Sequence, residues 1–318
     1  MRGGDGVKIR NVLGLFDGIA CGRLALERAG IEFDNYYSSE VDKYAIQIAD
    51  KNYPDNIRLG DILNWRDWDL EDVDLIMGGS PCQGFSFAGH RLNFDDPRSR
   101  LFFDFVDVVK HYKPKYFLLE NVRMRKDIQD AISAILGVEP VMINSSLVSA
   151  QNRVRLYWTN IPNITQPEDK GIVLKDILEI DGYVDRDKSY CLDANYYKGG
   201  NLKSYFEKHR RQLVFSDSGL CHVGDADINS KHESIKRVYH PDGKCPTLTT
   251  SMGGHREAKI ATSETTWRKL TPLECERLQT LPDGYTEGVS NTRRYKAIGN
   301  GWTVDVIAHI FRHMEVTA

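Results

Sequence analysis

No CxxC pair, no internal repeat and no low-complexity tract occurs in this sequence. It also lacks an unbroken apolar run of the roughly 18 residues that a membrane-spanning helix needs. Its six cysteines, at positions 21, 82, 191, 221, 245 and 275, are scattered, which excludes the usual disulfide frameworks and suits reduced thiols. Cys221, His222, His240 and Cys245 follow no standard zinc spacing, so no metal is expected. Residues 1–10 lack the apolar stretch of a secretion signal, and the expected location is the cytoplasm, or the nucleoid in a bacterium. An excess of positive charge is missing too, since the formal net charge is −3. Any nucleic-acid partner must therefore be met by basic residues gathered on one face.

What is present suits a folded protein. Hydrophobic residues make up 41% of the chain, enough for a sizeable core, and 318 residues hold one large domain with room for a smaller one. The first half alternates strand-like and helix-like patches. Residues 11–16 (NVLGLF) form an apolar run, and 22–29 read as a helix stopped by Gly30. Strands are expected at 35–39, 74–77 and 116–119, with helices at 42–51 and 101–112 between them, and a further strand at 154–159 (VRLYWT). Such a rhythm argues for an α/β fold, a parallel sheet with helices on both faces, whose sites lie beyond the carboxyl ends of the strands. From about 162 to 266 the pattern turns irregular, as in a small domain of loops and short strands. Thr271-Pro272-Leu273-Glu274 has the form of a capping box with proline at the first helical position, and 303–314 read as a last helix.

Polar residues stand at the strand ends. Phe16-Asp17-Gly18-Ile19-Ala20-Cys21-Gly22 joins strand to helix through a glycine turn, with Ala20 in place of the middle glycine of the dinucleotide fingerprint. Glu40 follows the next strand, where a carboxylate can accept from ribose hydroxyls, and Asp61 comes after it. Turn and acids together favour an adenosine cofactor without a pyrophosphate, S-adenosylmethionine ahead of a nicotinamide dinucleotide. In Gly79-Ser80-Pro81-Cys82-Gln83-Gly84, proline fixes the backbone ahead of a cysteine that projects from a rigid turn. Glu120 closes a fully apolar strand. Arg153 and Arg155 stand two apart at a strand start, on one face, as a paired cationic wall.

The order FDGIACG, Glu40, GSPCQGFSFAG, ENV, QNRVR, RKLTPLECERLQ and AIGNGW resembles the C5-cytosine DNA methyltransferases over nearly the whole chain except about 162–266. The first motif is similar to that of the animal de novo enzymes and some phage or bacterial relatives. The resemblance implies a Rossmann-like S-adenosylmethionine-dependent methyltransferase sheet, with residues 1–160 and 291–318 as the catalytic and cofactor-binding domain and 161–290 as a small target recognition domain. It implies a sequence-specific DNA (cytosine-5)-methyltransferase with Cys82 as nucleophile toward C6 of a flipped-out cytosine. Glu120 would act at N3 and the 4-amino group, Arg155 at O2, and Arg153 in support of Glu120 and the cysteine's surroundings. Cofactor contacts carried over in the same way are Phe16, Asp17, Gly18, Gly22, Glu40, Val41, Asp61, Ile62, Pro81, Leu101, Asn300 and Trp302. Val41 stands where many bacterial members have an adenine-stacking tryptophan.

Double-stranded DNA is the implied partner. It would be met by the segment after Cys82, with Ser86, Gly89, His90 and Arg98, and by Thr247, Leu248, Thr249 and Thr250 in the small domain. A monomer is expected, open to functional pairing with a restriction endonuclease as in restriction-modification. Two other readings stay open. The first is an RNA cytosine-5 methyltransferase of the tRNA-modifying branch, which has Phe-Thr where this chain has Phe85-Ser86; the second is a catalytically inactive DNA-binding regulator, against which Cys82, Glu120, Arg153 and Arg155 all speak.

Overall fold

The structure, a computed structural model, describes residues 8–80, 97–179, 182, 184–200, 202–216, 222–225, 237–239, 259–260 and 266–314. Seven strands form the main sheet: β1 (Lys8–Leu15), β2 (Glu32–Ser39), β3 (Ile57–Arg58), β4 (Val73–Gly78), β5 (Tyr116–Val122), β6 (Val141–Asn144) and β7 (Val154–Thr159). Their order across the sheet is β3-β2-β1-β4-β5-β7-β6. The chain leaves β1 toward β2 and returns on its other side as β4, so a crevice opens where the winding reverses. The first five strands are parallel, and β7 runs antiparallel to both neighbours. Because β7 is reversed, its start lies at the same edge as the ends of β1, β2, β4 and β5.

Burial on both faces explains the near-continuous apolar strands. Val12, Leu75, Met77 and Leu118 point into one core cluster, and Leu13, Leu15, Ile76 and Leu119 into the other. Helices α1 (Cys21–Ala29) and α2 (Lys43–Asn52) connect the first strands. The second face is covered by α3 (Pro97–Tyr112) and α4 (Lys126–Leu136), whose Phe102, Phe105, Ile128 and Ile132 are buried there. Gly30 ends α1 in the left-handed conformation, as its position after the helix predicts.

The carboxyl-terminal part comes back to the first face as α6 (Pro272–Leu278), α7 (Asn291–Asn300) and α8 (Val304–Phe311), after α5 (Leu202–Lys208) in the irregular region. At the start of α6 the capping box is formed: Thr271 accepts from the Glu274 N–H and Glu274 accepts from the Thr271 N–H. Leu270, Cys275, Leu278, Leu281 and Tyr285 share the core cluster of α1 and α8. The irregular region carries a two-stranded pair, β8 (Leu213–Ser216) with β12 (Thr266–Lys269), and a three-stranded sheet of β9 (His222–Asp225), β10 (Arg237–Tyr239) and β11 (Lys259–Ile260). Among the described residues no helix is long and apolar enough to cross a membrane.

Candidate active site

A cleft of about 720 Å3 runs along the carboxyl edge of the sheet. That volume falls within the roughly 300–1,000 Å3 of small-molecule sites. Each strand contributes the residues just past its end: Phe16, Gly18 and Ile19 after β1, Glu40 and Val41 after β2, Asp61 and Ile62 after β3, Gly79 and Ser80 after β4, and Glu120 and Asn121 at the end of β5. Arg153 and Arg155 enter from the start of β7, Leu101 from α3, and Asn300 from the end of α7.

At one end, the β1 turn is built on unusual backbone. Phe16, Gly18 and Ala20 all have positive φ (53°, 58° and 61°), and the Ala20 N–H donates to the Asp17 carbonyl. Asp17 lies beneath this turn. Its two carboxylate oxygens accept from the Tyr36 and Ser38 hydroxyls at 2.6 Å each. Burial raises its pKa, and those two hydroxyl donors oppose the rise. Glu40 faces the turn from β2. Its carboxylate accepts from the N–H groups of Gly18, Val41 and Asp42, each at 2.8 Å, and remains half-buried beside the cleft. Val41 next to it is 68% exposed, an apolar side chain laid open on the cleft wall.

At the other end stands a shielded ion pair, Arg155 Nε to Glu120 Oε1 at 2.8 Å. Burial works against the Arg155 charge, but Glu120, Cys191 and Tyr157 together outweigh it and raise the pKa. Glycine at 79 makes room for this pair, because a Cβ there would stand 3.1 Å from both Glu120 Oε2 and Trp302 Nε1. The Asn121 side-chain amide reaches the Ser80 carbonyl at 3.4 Å, tying the end of β4 to β5 just ahead of Pro81. Ser80 Oγ is buried, lines the cleft and has no hydrogen-bond partner among the described residues.

Arg153 is placed differently from its neighbour. Its guanidinium donates to three main-chain carbonyls, Leu192 at 2.9 Å, Gly299 at 3.3 Å and Gly301 at 3.0 Å. Burial, then the nearby Arg155 charge, lower its pKa. Arg153 is expected to support Glu120 and the cysteine's surroundings; in the structure the ion pair with Glu120 is made by Arg155. Residue 153 precedes β7 and turns under the Gly299–Gly301 segment, whereas Arg155 lies in the strand opposite Val122.

Of the residues singled out in the sequence, the cleft gathers Phe16, Gly18, Glu40, Val41, Asp61, Ile62, Leu101, Glu120, Arg153, Arg155 and Asn300. Asp17, Gly22 and Trp302 lie behind it. They line or border a small adjoining cavity, and a Cβ on Gly22 would meet Met77 Sδ at 2.5 Å. Pro81, Cys82, Ser86, Gly89, His90, Thr247, Leu248, Thr249 and Thr250 lie outside the described residues, and Arg98 falls in the first turn of α3. The structure adds Asp42, Tyr44, Arg293 and Lys296 to the cleft. Lys296 pairs with Asp42 at 2.7 Å, and the Arg293 guanidinium sits 4.2 Å from the centre of the Tyr44 ring. The one sequence signal for them is helical spacing: Lys296 is a turn before Asn300, on the same face of α7.

Comparison with known proteins gives a consistent result. The Neisseria lactamica type II methyltransferase M.NlaX is 30% identical over 96% of this chain and 96% of its own length. The Haemophilus parainfluenzae type II methyltransferase M.HpaII is 29% identical over 92% of this chain and 86% of its own length. Among solved structures, the Entamoeba histolytica methyltransferase EhMeth superposes with a TM-score of 0.65 at 15% identity, covering 96% of this chain and 97% of that one. Spodoptera frugiperda DNMT2 gives 0.61 at 18%, over 96% and 99%. At such low identity these two establish the fold alone, shared over nearly the whole chain. A profile of the C-5 cytosine-specific DNA methylases matches residues 10–316. Since that match runs through both ends of the cleft and through the returning segment with Asn300, the chain belongs to the C-5 cytosine-specific DNA methylase family and is a DNA (cytosine-5)-methyltransferase.

Proposed function

We propose that this enzyme methylates a cytosine flipped out of duplex DNA, using S-adenosylmethionine and a covalent bond from Cys82 to C6. The observation that carries this reading is one continuous cleft with Glu40 and exposed Val41 at one end and the Glu120–Arg155 pair at the other. The residues fit the cofactor. Glu40 offers a carboxylate to ribose hydroxyls, Val41 and Ile62 offer apolar surface to a purine, and Asn300 with the Gly18 turn offers polar groups to the amino-acid part. When bound there, S-adenosylmethionine supplies the electrophilic methyl group.

The protein's own part is to make cytosine nucleophilic. The Cys82 thiolate forms the S–C6 bond, and the C5–C6 π electrons move toward C5 and N3. Glu120 hydrogen-bonds N3 and the 4-amino group, and a proton passed through its carboxyl group neutralises the charge that develops at N3. Arg155 holds Glu120 in place and offers its remaining N–H groups to O2. After methylation a water or hydroxide reaching C5 takes its proton, the C5–H electrons re-form the C5–C6 double bond, Cys82 leaves as the thiolate with the S–C6 electrons, and the N3 proton returns through Glu120. None of this can occur inside a base stack, so the base leaves the duplex at a cost of a few kcal/mol.

The division of labour follows. Residues 1–160 and 291–318 carry chemistry and cofactor binding, and 161–290 include the base-reading region, with Thr247–Thr250 and the loop after Cys82 toward DNA. Packing of Leu270, Cys275, Leu278 and Tyr285 in the main core supports assigning 270–290 to the catalytic body instead. The family profile and type II relatives favour DNA over RNA as substrate, and a cytoplasmic monomer working beside a restriction endonuclease suits those relatives. Duplex DNA with 5-fluorocytosine at the target tests the chemistry, because fluorine at C5 blocks the final elimination. A denaturation-resistant adduct is expected with wild type and S-adenosylmethionine and not with Cys82→Ala. An adduct that persists in Cys82→Ala refutes the nucleophile, and labelled methyl appearing in tRNA rather than duplex DNA refutes the substrate.

A further inference from the structure

We propose that Gln279 is a positioning residue for the cofactor: its buried amide, with Arg153, fixes the Gly299–Gly301 segment that presents Asn300 to the cleft. This rests on the reading of that cleft as the S-adenosylmethionine site. Gln279 is fully buried and does not line the cleft, so it can act only through what it holds. Its Nε2 donates to the Ile298 carbonyl at 2.9 Å and the Gly301 carbonyl at 3.1 Å. Arg153 donates to the Gly299 and Gly301 carbonyls of the same segment. The two side chains thus clasp the main chain on both sides of Asn300. A helix end needs such help, since its last carbonyls have no partner within the helix.

The orientation of the amide is itself fixed. Thr303 Oγ1 donates to Gln279 Oε1 at 2.8 Å, and the Ser145 hydroxyl donates to Thr303 Oγ1 at 2.8 Å. That chain of donors directs the Gln279 oxygen toward Thr303 and leaves its N–H groups for the two carbonyls. The Gln279 carbonyl also accepts from the Val304 N–H at 3.0 Å, which sets the start of α8. Gln151 reaches the same point from β7's approach: its Nε2 donates to the Leu278 carbonyl at 3.1 Å, while its Oε1 accepts from the Leu192 N–H at 2.8 Å. The donor side chains of this network are buried, and of the residues whose carbonyls they meet Ile298 and Gly299 are buried and Gly301 partly so, so a lost donor weakens the hold on that segment where water replaces it poorly.

Isothermal titration with S-adenosylmethionine, set beside duplex binding and steady-state kinetics, tests the proposal. Gln279→Glu keeps the shape, removes both donors and turns a carboxylate oxygen on the carbonyls. Cofactor affinity should weaken about tenfold or more, with KM for the cofactor raised, kcat at saturating cofactor near wild type and duplex affinity unchanged. Thr303→Val, which frees the amide to turn, should shift the same quantities less, and Thr303→Ser should restore them. Wild-type cofactor affinity in folded Gln279→Glu overturns the proposal, as does an equal loss for cofactor and duplex. If Gln279→Glu does not fold, Thr303→Val against Thr303→Ser decides by the same criteria. A wild-type enzyme that binds no S-adenosylmethionine overturns the cofactor reading itself, and this proposal with it.

Discussion

Arg155 Nε lies 2.8 Å from Glu120 Oε1, and the two side chains are only 13% and 12% exposed. The strands that carry them are antiparallel, with Val122 opposite Arg155, so the pair spans the ladder diagonally at the rim of the cleft. Charges so shielded are expensive to separate, and each has consequences of its own when removed.

Glu120→Gln keeps the shape but can no longer pass a proton to N3. Turnover should fall by about 10²-fold or more while S-adenosylmethionine affinity stays near wild type, because Glu120 stands at the far end of the cleft from Glu40. Arg155→Met leaves the Glu120 carboxylate without its partner and should lower stability by about 3 kcal/mol, read by urea denaturation. Near-normal kcat in Glu120→Gln would show that the acid lies elsewhere.

The limits of sequence reading follow from the same pair. A carboxylate ending an apolar strand, and two arginines sharing a strand face, are visible in residues 116–120 and 153–155. Depth is not visible, and depth separates Arg155, facing Glu120, from Arg153, which clasps carbonyls near residue 300. Strand β7 falls where its apolar run lies and the α6 capping box forms, because both signals are local. Strands β3 and β6, with 2 and 4 residues, are too short for alternation to show and exist through pairing with a neighbour. The Lys296–Asp42 bridge joins residues 254 apart in sequence, a relation no local pattern contains.

Gly299 approaches another segment closely enough to forbid a side chain. A Cβ there would fall well inside contact distance of the Asp193 carbonyl, which is main chain and cannot swing away. Gly299→Ala should therefore displace the Gly299–Gly301 segment and weaken S-adenosylmethionine binding about tenfold, with a loss of stability of about 1–3 kcal/mol. Gly22→Ala offers the contrast, since its nearest neighbour is the flexible end of Met77. Titration calorimetry and thermal melting of both variants check the order, and equal effects would contradict it.

Asp305 joins three segments, accepting from Arg28 of α1 and from Lys170, each at 2.6 Å. Burial opposes its charge, but the hydrogen bonds from Lys170 and Arg28 prevail and hold its pKa below the ordinary value of 3.8. A carboxylate with a depressed folded pKa adds stability that is present above the unfolded pKa and lost as pH falls through the folded one. Asp305→Asn should thus cost about 1 kcal/mol at neutral pH. The gap to wild type should close on acidification below the usual aspartate range. Urea midpoints for the two proteins, measured from neutral pH downward, check this, and a gap that persists in acid would refute it.

Asp42 does two jobs, and substitutions can separate them. One oxygen caps α2 by accepting from the Tyr44 and Ala45 N–H groups, and the other meets Lys296 at the mouth of the cleft. The ion pair is partly exposed, at 31% and 42%, so its own contribution is about 0.5 kcal/mol. Loss of a helix cap to alanine costs about 1 kcal/mol, whereas asparagine caps nearly as well as aspartate. Asp42→Asn should therefore lower stability only slightly, and Asp42→Ala by about 1 kcal/mol more. Lys296→Met should match the small effect of Asp42→Asn, and the two together should cost less than their sum, because both remove one interaction. Denaturation of the four variants settles which job dominates. If Asp42→Asn proves as damaging as Asp42→Ala, the bridge to α7, not the cap, is what holds this wall of the cleft.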